Sequence, residues 1–154
     1  MQNRQRPLSA LIALSLVALA ATPATPAEGG AEVTVTVSGL RNTKGRIIAC
    51  MTSDERHFPR CRDVAGSYKA NAAAEGNVVL HFSGVRPGTY AIALLHDENE
   101  NGRADRALSM IPREGFSFSR DAPVRMGPPD FEDAAFAVGG GGTVTQAIRM
   151  RYML

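Results

Sequence analysis

The chain has 154 residues, the size of one ordinary domain plus a leader, which excludes a two-domain enzyme. It is 44% hydrophobic and 21% charged, with 15 Gly, 9 Pro and no Trp, which excludes a disordered or fibrous protein and points to a turn-rich globular one. The formal net charge is +2, and both positive charges in excess belong to the N-terminal 27 residues, so the remainder is neutral and lacks the basic footprint of a nucleic-acid binder.

Arg4 and Arg6 precede an apolar run from Leu8 to Leu19, and a stretch rich in small residues follows from Ala18 to Ala27. That order is the pattern of a secretory signal peptide. The run falls short of the roughly 20 residues a membrane span needs, and no later segment is longer, so no span is expected in the mature chain. Cleavage after Ala20 satisfies an Ala-x-Ala pattern, whereas cleavage after Ala27 also removes the Pro-rich spacer Thr22 to Pro26. With the second site, residues 1–27 are the signal peptide and 28–154 a single domain, periplasmic or secreted. Removing the leader takes away two Arg and no acid and leaves 15 basic against 15 acidic residues. The remaining Arg (Arg41, Arg60, Arg86 and Arg125 among them) are scattered along the sequence, and a polyanion partner is not expected.

An oxidising compartment makes a Cys50–Cys61 disulfide the leading reading of the two cysteines, over a redox pair or a thiol metal site. No Cys-x-x-Cys spacing supports the alternatives.

Along the mature chain the dominant period is two. Val33, Val35 and Val37 alternate with Thr34 and Thr36 as a half-buried strand. A turn over Ser38 to Gly45 leads to a second strand, Arg46 to Thr52, and Ser53 to Gly66 reads as a loop. A weaker strand is expected over Ser67 to Ala73, where the Ala run also permits a helical turn, and a better one over Asn77 to Phe82. Thr89 to His96 is apolar on both faces, so it is expected at the centre of a sheet covered on both sides. A short extended piece around Phe116 and Phe118 follows. Phe131 to Val138 is expected as another strand, and Thr143 to Tyr152 as the last, with Arg149 and Arg151 on its wet face. About seven strands without a long amphipathic helix predict an all-β, antiparallel β-sandwich.

The one chemical site the sequence nominates begins at the end of the central strand. Asp97, Asn99, Asn101, Gly102 and Asp105 take positions 1, 3, 5, 6 and 9 of a D-x-[DN]-x-[DN]-G calcium loop. Oxygen side chains two apart in a tight coil converge on one centre, and Gly permits the sharp bend. Leu108 stands where an EF-hand has its bidentate Glu, so this is not an EF-hand; Glu114 would supply the missing carboxylate if the chain folds back. Ca²⁺ would then bind weakly, on the order of 10⁻⁴ to 10⁻³ M, as a structural staple. Asp and Asn also stabilise ion-free turns by bonding their own backbone, and an ordinary hydrogen-bonded loop has the same signature.

The run Pro87-Gly88-Thr89-Tyr90-Ala91, the segment His96 to Gly102 with Asp105, the segment Ile111 to Ser119 and the segment Gly127 to Phe136 together resemble bacterial domain-of-unknown-function family 2141. The resemblance spans Val33 to Tyr152. It implies an exported β-sandwich of the prealbumin-like or immunoglobulin-like kind, and it carries no activity to transfer. Met110 departs from the family's pattern, where Gly is expected before the Ile-Pro segment.

Two functions of different classes remain. The first is a non-catalytic binding or accessory module of the cell envelope, gripping a protein, peptide or glycan with loops in Asp97 to Phe136. Phe116, Phe118, Met126 and Phe131 lie there among Gly and Pro. The second is a small enzyme using His96, Asp97 and Glu114 around a bound metal ion. No Gly-x-Ser-x-Gly elbow is present, and the glycines from Gly139 to Gly142 open no helix with a following Lys, so neither an acyl-transfer nor a phosphate-binding signature supports catalysis.

Overall fold

The computed structural model describes residues 29–107 and 111–154. The expected signal peptide and Met110 lie outside them. In chain order the strands are β1 (Ala31–Ser38), β2 (Arg46–Thr52), β3 (Tyr68–Ala73), β4 (Val78–Val85), β5 (Gly88–Asp97), β6 (Arg106–Ala107), β7 (Ile111–Pro112), β8 (Gly115–Phe118), β9 (Phe136–Val138) and β10 (Thr143–Arg149). A four-residue helix, α1, spans Phe131–Ala134. Among the described residues no helix is long and apolar enough to cross a membrane.

Two sheets make the sandwich. One has the order β10-β1-β4 and the other β3-β2-β5-β8, with β9 on the first residues of β5. The alternation of β-branched residues in β1 suits a pleated, half-buried surface. Its odd positions, Val33, Val35 and Val37, are buried and face the second sheet. They meet Ile47, Ala49 and Met51 of β2, Leu80 and Phe82 of β4, Ile92 and Leu94 of β5, and Ile148 of β10 in one core. Most pairings are antiparallel, but β1 and β10 run parallel, Glu32 facing Thr143 and Ser38 facing Arg149. The sandwich is therefore mixed rather than purely antiparallel.

The opposite face of β5 carries a second, smaller cluster. Ala91, Phe118, Ala122 and Ala134 are buried there, packed by Phe58, Phe116, Val124 and Phe131. Phe58 stands edge-on to Phe118 at 5.6 Å and to Phe131 at 6.0 Å between ring centres. It is brought there by the Cys50–Cys61 disulfide, whose Cα atoms are 5.7 Å apart and which fastens the loop after β2 over this face. The outer face of β5 is thus covered at Ala91, whereas Ala93 and Leu95 further along stay half-buried, so the two-sided cover expected from the apolar run holds for part of the strand.

Several expectations change. Phe131 to Ala134 is a helical turn, and the strand expected over 131–138 shrinks to β9. The Ala run at 70–73 stays extended because Ala70 to Ala73 pair with Arg46 to Ala49 of β2. The last strand ends at Arg149, and Arg151 keeps an isolated pairing with Phe116. Phe118 is buried, so it belongs to the second cluster and not to an exposed loop surface, whereas Met126 is fully exposed.

Candidate functional site

β5 ends at Asp97, and the chain then coils through the nominated loop. Asp97 is wholly buried. Its Oδ1 accepts from the Asn101 N–H at 3.1 Å and its Oδ2 from the Gly102 N–H at 2.9 Å. Asn99 Oδ1 accepts from the same Asn101 N–H, and the side-chain amides of Asn99 and Asn101 donate to Asp105 at 2.7 to 3.1 Å. Glu114 does fold back: its two oxygens accept from the N–H groups of Glu98 and Asp105 at 3.1 and 3.0 Å. Burial, with the carboxylates of Asp105 and Asp97 nearby, pushes the Glu114 pKa up despite those backbone hydrogen bonds.

The structure therefore gathers Asp97, Asn99, Asn101, Asp105 and Glu114 into one web. Each carboxylate oxygen in it already accepts a hydrogen bond. Among the described residues, no group of three or more His, Cys, Asp or Glu side chains is arranged to hold a metal ion.

His96 does not join this web, because successive strand residues point to opposite faces. It is fully buried on the core side. There its Nε2 donates to the Lys44 carbonyl at 2.7 Å, and its Nδ1 takes the Tyr152 hydroxyl at 2.7 Å. The trio His96, Asp97 and Glu114 does not converge in a cleft. Arg41 braces the same end of the molecule. It donates to Glu98 at 2.8 Å, to the Arg113 carbonyl at 2.8 Å and to the Leu154 carbonyl, and it lies 4.6 Å over the Tyr152 ring.

The feature missing from the sequence reading lies on the outer face of β3-β2-β5-β8. Strand register sets two rows across it. Lys69, Cys50, Ala93 and Phe118 lie side by side in one, and Asn71, Ile48, Leu95 and Phe116 in the other. Each row runs from a polar end at β3 to an aromatic end at β8. The disulfide loop, the calcium-type loop, the β6–β7 hairpin and the 124–128 segment stand around the apolar end and enclose a groove of about 1150 Å³. Six arginines line it, at positions 56, 60, 62, 103, 106 and 125, against the three carboxylates Asp63, Asp105 and Glu114. Arg60 and Arg125, scattered in the sequence, meet here in space. At the polar end a smaller recess of about 410 Å³ adjoins the groove. It shares Ile48, Arg62, Gly102 and Arg103 with it.

No curated protein and no solved structure matches the chain. The model of a family described as an uncharacterized protein conserved in bacteria matches residues 35–146, which runs from β1 into β10 and takes in the loop, the disulfide and all of the groove lining but Met153. With most of the domain covered, the chain belongs to that family, DUF2141.

Proposed function

We propose that the protein is an exported, non-catalytic binding module of the cell envelope whose ligand lies in the outer-face groove. The groove carries this reading: at about 1150 Å³ it is somewhat larger than an ordinary small-molecule pocket, and its floor of Ile48, Leu95 and Phe116 has the apolar character of one. An apolar floor favours an apolar or amphipathic ligand over a glycan, whose hydroxyls would find few partners on it. The leader pattern at residues 1–27 and the disulfide support a place beyond the cytoplasmic membrane.

The test is Nile red, a neutral dye that brightens in apolar sites, titrated into the mature protein. Saturable emission is expected, weakened at least tenfold by Leu95→Asp in protein whose melting curve shows it folded. Absence of binding, or equal binding by the folded variant, refutes the reading.

In the same reading the Asp97–Asp105 loop is a strut of the groove wall, and Ca²⁺ is its staple. Calorimetric titration of chelator-treated protein is expected to give a dissociation constant on the order of 10⁻⁴ to 10⁻³ M. Asp105→Asn should abolish it. At ten times that constant the ion would stabilise the fold by about 1.4 kcal/mol. No heat and no rise in melting temperature at about 10 mM, above that range, would leave the loop as hydrogen-bonded scaffolding.

A further inference from the structure

The recess beside the groove differs from it in chemistry. Arg46, Arg62, Lys69 and Arg103 line it with the amides of Asn71 and Asn101, and no carboxylate is among its lining residues. Arg46 lies 3.5 Å from the buried Asp97, and Arg62 lies 3.9 Å from Asp63, which is 88% exposed and a weak partner. Among the described residues Lys69 and Arg103 have no carboxylate within 4.0 Å. Lys69 and Arg103 thus add positive charge beside Arg46 and Arg62 that no carboxylate within 4.0 Å offsets, so the recess as a whole attracts an anion. Guanidinium forks and an ammonium suit the several oxygens of a phosphate group.

The apolar end of the same face begins one strand away. Ile48 lies between Asn71 of the recess and Leu95 of the groove floor, and Phe116 follows Leu95. A free anion would have no use for that floor, and a neutral apolar molecule none for the recess.

We propose that the groove and recess are one bipartite site for a single-chain lipid amphiphile, its acyl chain on the Ile48, Leu95 and Phe116 floor and its phosphate head among Arg46, Arg62, Lys69 and Arg103. This deepens the groove reading above and rests on it. The fully exposed Met126 on the groove rim offers a flexible side chain to close over the chain portion.

The experiment is calorimetric titration of the mature protein with dodecyl phosphate below its micellar concentration, with dodecyl maltoside as the neutral-headed match and inorganic phosphate as the chainless one. Dodecyl phosphate is expected to bind at least tenfold more tightly than either. The double variant Lys69→Ala/Arg103→Ala changes two exposed side chains, so its fold is expected to survive. It should lose about tenfold for dodecyl phosphate and nothing for dodecyl maltoside. Equal binding of the two dodecyl compounds, unchanged in the variant, overturns the headgroup assignment and leaves the groove reading standing. Inorganic phosphate binding as tightly as dodecyl phosphate overturns the lipid assignment. If neither dodecyl compound binds, both readings fall.

Discussion

Gly45→Ala isolates how tightly the turn before β2 presses on the start of the site loop. Gly45 has φ +66°, and a Cβ added there would lie 2.0 Å from the Asp97 carbonyl oxygen and 2.8 Å from the Glu98 Cα, both backbone atoms. Gly76 is the natural control: its φ is +61°, but nothing lies within 4 Å of its added Cβ. Left-handed backbone costs Ala roughly 1 to 2 kcal/mol, so Gly76→Ala should lose about that much. Gly45→Ala must also push Asp97 away. That displacement strains the His96 to Lys44 hydrogen bond and the one from the Ala74 N–H to the Gly45 carbonyl, at 2.7 and 3.1 Å. A buried polar group that loses its partner costs about 1 to 3 kcal/mol, which brings the expected total to roughly 2 to 5 kcal/mol. Urea unfolding of both variants at neutral pH measures the difference directly. Equal losses, within about 0.5 kcal/mol, would refute the contact and leave the backbone angle as the whole effect.

Two further outcomes concern the disulfide loop and the acid limb of stability. Replacing both cysteines, Cys50→Ala with Cys61→Ala, releases a cross-link between residues 11 apart in sequence. The chain-entropy argument gives a loss of about 3 kcal/mol. The melting temperature should therefore fall by roughly 10 °C, and an unchanged melt would show that the loop needs no tether. Burial alone would raise the Glu98 pKa, but hydrogen bonds from Asn42 and Arg41 outweigh it and hold the carboxyl below its ordinary value of 4.5. A carboxyl whose folded pKa is depressed stabilises the protein fully above its unfolded value and loses that contribution as pH falls through the folded one. Denaturant curves between about pH 5 and pH 3 should thus steepen the loss of stability in the native protein relative to Glu98→Gln. Parallel slopes would refute the Arg41–Asn42–Glu98 clamp.

Local patterns were the legible part of the fold. Val33, Val35 and Val37 name their inward face by alternation, and the doubly apolar run at 89–96 announces its central place. The loop residues were legible too, since Asp97, Asn99, Asn101, Asp105 and Glu114 do gather. Their chemistry was not, because the same side chains serve backbone N–H groups as readily as a cation. The helical turn at Phe131–Ala134 escaped because four residues carry too little periodicity to separate it from a strand. The groove was invisible for a different reason. Its walls come from segments far apart in the chain, and only the register of β3, β2, β5 and β8 sets Lys69 beside Cys50 and Ile48 beside Leu95. Arg60, Arg103 and Arg125 look dispersed until those strands are aligned.

The parallel pairing of β1 with β10 joins the first strand to the last, Val33 beside Val144 and Val37 beside Ile148. Contacts of such long sequence separation form late and slowly, because the loop between them must close first. As the chain emerges from its N-terminal end, β2, β3 and β5 have all their partners for one sheet before β1 has its second neighbour. One sheet can therefore assemble vectorially while the other waits for residue 149, and an unpaired β1 edge stays open to other strands in the interval. A chain cut short before β10 would keep that edge permanently, so residues 143–149 are themselves part of the fold's protection against association.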